Sequence, residues 1–237
     1  MASNRPYRTE HEFVMAFMAN VAKTSATSVT GRQRGSQGAR PGKPYAGMSG
    51  NDLAQRVTCN MRTVAQMIHT ITDPSRTQSE WSVRQFVGST VRWIHHGIPN
   101  ASRLKALRSH ETGNAYGCSP DEVPARWEAF LEELQTRLDD EDGPRLCAWV
   151  EYELRFGIHP IADGTGRLAT ALAAWIMMRR GERMPNYAFF QRSDMHDTLR
   201  EGLEIFTQYY IEKCFSQRGE AHEESPPFDL TVTKLAS

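Results

Sequence analysis

His159-Pro160-Ile161-Ala162-Asp163-Gly164-Thr165-Gly166-Arg167 lies between two stretches of helical periodicity, and what flanks it decides the architecture. After it, Leu168, Leu172, Trp175 and Ile176 return every three or four residues through an alanine-rich run that Gly181 closes. Before it, Leu146, Trp149, Val150 and Leu154 mark a helix expected to stop near Gly157. Further out, Val123, Trp127, Phe130, Leu131, Leu134 and Leu138 form one apolar stripe, and Ser119 with Glu122 has the spacing of a capping box ahead of it. The run Ser79 to Gly97 turns Val83, Phe86, Val87, Thr90, Val91 and Ile94 inward. Leu53, Val57, Met61, Val64, Ile68 and Ile71 do the same until Asp73-Pro74 breaks the pattern. A last helix is read from Ser193 through Met195, Leu199, Leu203, Phe206 and Tyr210. No strand pattern of useful length interrupts these elements, so the class is all-α.

The 237 residues carry 28 Lys and Arg against 28 Asp and Glu, so no bulk charge draws the chain to nucleic acid or to an anionic membrane. The four cysteines, Cys59, Cys118, Cys147 and Cys214, are too far apart in sequence for a zinc knuckle or a redox dithiol. The longest apolar run, Leu168 to Met178, is too short to span a bilayer, and the first ten residues lack a secretory core, so a cytoplasmic protein is expected. Residues 1–50 read as an N-terminal arm. Phe13, Phe17 and Val21 suggest a short helix there, followed by a flexible Gly/Ser-rich basic loop with six glycines from Gly31 to Gly50. Residues 51–215 form the helical domain and 216–237 a disordered tail. His69 and the pair His95-His96 have no metal-ligand partner at useful spacing and read as exposed or capping histidines.

In the loop itself, Gly164 and Gly166 let backbone N–H groups converge without obstruction, just where a helix begins and its uncapped donors favour an anion. Arg167 can fork onto the same phosphate, Asp163 can hold a hard divalent cation through oxygen, and His159 can accept a proton near pH 7. These are parts of a phosphoryl-type transfer. The same residues also fit a surface turn followed by a helix-surface charge and a capping histidine, and residue chemistry alone leaves both readings open.

The nine residues resemble the signature of the Fic family, H-x-F-x-[DE]-G-N-[GK]-R, often extended by a second arginine three positions on. Phe156 to Pro160 resembles the usual approach to the motif, Glu122-Val123-Pro124 the start of the helix after the family's flap, and Arg108 to Cys118 falls where that flap belongs. The resemblance covers roughly Asp52 to Tyr210. It implies an all-α Fic-like helical core with a short flap hairpin, and a transferase that moves a nucleoside monophosphate, usually AMP from ATP, onto a hydroxyl of a protein. Position by position, it makes His159 the base that deprotonates the acceptor hydroxyl and Asp163 the ligand of Mg2+. Gly164, Thr165 and Gly166 become the nucleotide-binding anion nest, and Arg167 the arginine that steadies the departing phosphate. It also implies docking of target proteins along the flap edge.

Three positions depart from the pattern. Ile161 replaces a phenylalanine that anchors the loop. Thr165 replaces an asparagine that contacts phosphate. Thr170 replaces the second arginine, whose charged hydrogen bond is worth about 1.5 to 3 kcal/mol. The last change leaves room for another nucleoside triphosphate or a diphosphate-linked nucleotide as donor. It also leaves room for a Doc-like phosphotransferase, for a small-molecule acceptor, and for a non-catalytic binding module. An inhibitory helix of the family's type is not found, since Glu201-Gly202 has Asp197 in place of the required hydroxyl residue.

Overall fold

The structure is a computed structural model of the chain and describes residues 6–7, 9–29, 48–75, 80–109, 116–189 and 192–216. Through them run α1 (Glu10–Val29), α2 (Gly50–Ile71), α3 (Val83–Ile94), a short α4 (Ala101–Lys105), α5 (Val123–Asp140) and α6 (Gly143–Tyr152). A π-helical turn (Glu153–Ile158) follows, then α7 (Thr165–Arg179), a 3-10 turn (Tyr187–Phe189), α8 (Arg192–Glu201) and α9 (Leu203–Cys214). The described residues contain no strand; their one extended pairing is an antiparallel bridge between Leu107 and Ile161.

Alanine and leucine make α7 a strong helix former with no polar stripe, and such a helix must be covered on all sides. Every residue of it except Gly166 and Arg179 is buried. Helices α1, α2, α3 and α6 pack around it. Ala169, Ala171, Ala173 and Ala174 let these neighbours approach closely, and Phe86 of α3 stacks on Trp175 at 4.4 Å. The expected faces of α2 and α3 turn inward: Leu53, Val57, Met61, Val64 and Ile68 are buried, as are Val83, Phe86, Val87, Thr90 and Ile94.

Helix α1 shares this core. Phe13, Phe17 and Val21 are buried against α2 and α7, and Asn20 donates to the Pro185 carbonyl at 2.7 Å while accepting from Tyr187 N–H at 3.0 Å. Residues 30–47 of the Gly-rich basic stretch and 217–237 of the C-terminal tail lie outside the described residues, as do residues 110–115 of the expected flap hairpin, while Gly50 opens α2.

Local geometry corrects two sequence boundaries and refines a third. Ser119 and Glu122 do bond, Glu122 accepting from the Ser119 N–H at 3.0 Å, but they close a turn before the helix, which starts at Val123 with Pro124 in its first turn. The capping box that does start a helix belongs to Ser82 and Gln85 on α3. The last helix is two helices, because Gly202 takes φ 109° between α8 and α9. Helix α6 passes after Tyr152 into the π-helical turn, whose last residue, Ile158, lies one past the expected stop at Gly157 and delivers His159.

Candidate active site

The backbone N–H of His159 donates to the Leu154 carbonyl five residues back, at 3.2 Å, and the residue then adopts φ 51° and ψ 63°. That left-handed conformation disfavours a side chain and needs support from its surroundings. Arg108 supplies it. Its Nε donates to the His159 carbonyl at 3.0 Å, and its Nη2 to the carbonyls of Ile158 at 3.2 Å and Cys118 at 2.5 Å. The Arg108 backbone N–H donates to the Pro160 carbonyl at 2.8 Å, and Gly117 N–H to the Phe156 carbonyl at 2.7 Å. Gly117 is required at this contact, since a Cβ there would fall 2.9 Å from His159 Cβ. Both ends of the expected flap are thus fastened to the residues around His159.

Burial lowers the His159 pKa below its ordinary 6.5. The Arg155 carbonyl offsets part of the fall, and the Arg108 and Arg155 charges reinforce it. The ring is therefore neutral at pH 7 and able to take a proton. Its Nδ1 is buried and closes no hydrogen bond of normal geometry.

Asp163 pairs with Arg167 one helical turn later, Oδ2 to Nη2 at 2.6 Å, with side chains 12% and 3% exposed. The Asp163 carbonyl faces His95 Nε2 at 3.0 Å, and His95 Nδ1 faces the Val91 carbonyl at 2.9 Å. His95 ends α3, but it is 1% exposed and so is a buried residue that holds the loop. Gly164, at φ 90°, precedes α7 with no side chain to cap it, so the first N–H groups of the helix stay available. A Cβ on Gly164 would lie 2.9 Å from Ile94 and 3.3 Å from Arg167 Nη2, and one on Gly166 would lie 2.7 Å from Arg155 Nη1. Ile161 is buried at 2% exposure, and the Thr165 hydroxyl bonds back to the Ile161 carbonyl at 3.3 Å. Thr170 is 1% exposed, its hydroxyl on the Gly166 carbonyl at 3.0 Å and against Thr24 of α1 at 3.0 Å.

The structure therefore brings His159, Asp163, Gly164, Gly166 and Arg167 around one helix start and turns the Thr165 hydroxyl into the loop. Sequence reasoning missed Arg155, Glu151 and the burial of His95, and took Arg108 only as the edge of a flap. The Glu151 to Arg155 spacing of four was the one available signal.

Among the described residues no three His, Cys, Asp or Glu side chains gather as a metal cage. Mg2+ suits such a site, because it takes one or two carboxylates from a protein and completes its shell with substrate phosphates and water. Two guanidiniums, an uncapped helix start and glycines where a Cβ would strike the cations make a cradle that fits phosphate. A separate cleft of about 340 Å3 opens beside the π-helical turn, bounded by Gly117, Cys118, Arg126, Tyr152 and Glu153. Burial raises the Glu153 pKa, partly offset by Arg126 at 3.4 Å.

No helix among the described residues is long and apolar enough to cross a membrane. No family model and no curated protein matches the sequence. Among solved structures, a Fic domain containing signaling protein from Bacteroides thetaiotaomicron is similar over 89% of both chains, with a TM-score of 0.54 and 17% identity. At that identity the likeness establishes the fold, and the chain is an all-α, Fic-like helical domain.

Proposed function

We propose that the chain is a Fic-type transferase that moves a nucleoside monophosphate, AMP from ATP as the expected donor, onto a hydroxyl of a protein. The observation that carries this reading is a neutral, buried-edge histidine held in a left-handed conformation five residues before Gly164, the uncapped start of α7, with Asp163 and Arg167 beside it. In this reading the His159 ring accepts the proton of the acceptor hydroxyl as its oxygen bonds to the α-phosphorus. The bond from that phosphorus to pyrophosphate breaks, and pyrophosphate leaves with the electron pair. Arg167 exchanges Asp163 for the donor's phosphates and stabilises the charge on the departing group. The free N–H groups of α7 orient the phosphate chain. Asp163 would hold Mg2+, which when bound neutralises phosphate charge. General-base assistance of this kind contributes about 10²- to 10⁴-fold.

Incubation of the chain and a cell extract with ATP, UTP or CTP and MgCl2, followed by intact-mass and peptide analysis, tests the reading. The expected result is a hydroxyl residue heavier by one nucleoside monophosphate, abolished in His159→Ala with an unchanged helical spectrum. An adduct formed equally by His159→Ala, or none with any donor, overturns it.

A further inference from the structure

We infer that Arg155, on the π-helical turn one turn ahead of His159, is a second anion-binding guanidinium of this site, oriented by a buried carboxylate and two tyrosines. The inference rests on the reading that the loop binds phosphates, and it names the substrate feature recognised: a chain of two or more phosphates.

Four observations converge on it. Position 170 carries no charge, and its hydroxyl is already engaged by Gly166 and Thr24. Arg155 reaches the same place from the opposite element, its Nη2 donating to the Gly166 carbonyl at 3.1 Å and to Thr170 Oγ1 at 3.4 Å. Its Nη1 makes no hydrogen bond among the described residues and lies over the Gly166 backbone, where a Cβ would come within 2.7 Å. Finally, the side chain is 11% exposed and Nη1 is not a fully buried atom, so this pair of N–H donors stays open to an anion arriving from solvent.

A cation at a helix N-terminus opposes the helix dipole, so something must hold it there. Arg155 Nε donates to Glu151, which is fully buried. Glu151 also accepts from the Tyr187 hydroxyl at 2.5 Å, and Tyr187 meets the Tyr210 hydroxyl at 2.8 Å. Burial and the Glu151 carboxylate push the Tyr187 pKa well up, so this phenol stays a donor. The guanidinium is thus preorganised at Gly166 while Arg167 stands against Gly164. Two cations, one at each end of this short backbone, match consecutive phosphates better than a single one.

Calorimetric titration of the full chain with inorganic tripolyphosphate and MgCl2 tests this, using the double variant Arg155→Met/Glu151→Gln so that no charge is left buried alone. The variant is expected to keep the helical spectrum and a cooperative melt and to bind about ten- to a hundredfold more weakly. Arg155→Lys, which keeps the charge but not the fork, is expected to fall between. Unchanged affinity in a folded Arg155→Met/Glu151→Gln chain, with binding lost in Arg167→Ala, overturns the role of Arg155 and leaves the transferase reading standing. No binding by the wild-type chain overturns the anion site and this inference together.

Discussion

At position 159 a histidine occupies backbone space that costs a side-chain-bearing residue roughly 1 to 2 kcal/mol, and three carbonyl bonds from one buried arginine hold it there. Imidazole chemistry already makes it a possible base at neutral pH; its partial burial between Arg108 and Arg155 enlarges the unprotonated fraction and extends it to lower pH. Because the folded pKa is lowered from 6.5, the neutral ring persists on acidification to a pH below that value and is lost only beneath it. An NMR titration of the His159 ring is therefore expected to show a midpoint below 6.5, and the acid limb of kcat/KM to share it. A midpoint at or above 6.5 would contradict the burial described here. The contiguous residues of this site were legible in the sequence, since nine positions contain base, carboxylate, glycines and guanidinium. Arg108 and Arg155 were not, because their roles arise from carbonyls and a helix start that lie apart from them in the chain.

Among the elements, the long helices follow from periodicity, and the departures follow from single residues or local hydrogen bonding. Ser82 begins α3 through a capping box, whereas the equally promising Ser119 closes only a turn. The π-helical turn left no mark in the apolar spacing, because Leu154 and Ile158 are buried at an interval of four that an α-helix would also satisfy. Between α8 and α9, Gly202 adopts φ 109° and ψ 171°, a region essentially closed to residues with a Cβ. Nothing lies within 4 Å of a Cβ built there, so the cost of Gly202→Ala is backbone strain alone. The substitution is expected to lower stability by about 1 to 3 kcal/mol, read as a fall in Tm with the helical spectrum kept. A Tm that does not fall would mean that the two helices tolerate a continuous path.

On the scale of the whole molecule, α1 bears on the site although it carries none of its reactive groups. Its Phe17 is fully buried, its Asn20 holds the segment that carries Tyr187, and its Thr24 touches Thr170. Phe17→Ala is expected to cost about 3 to 5 kcal/mol, measured as a lower urea midpoint with an unchanged slope. A change below 1 kcal/mol would show that α1 is dispensable to the core. The class of fold, the faces of the main helices and the place of the reactive loop were determined by the sequence, because apolar periodicity and a dense local motif are properties of neighbouring residues. Tertiary structure decided which arginines meet the loop, which histidine is buried, and that the first helix belongs to the core. Those outcomes depend on which distant surfaces cover one another, and burial, the largest cause of each pKa shift described at this site, exists only once they do.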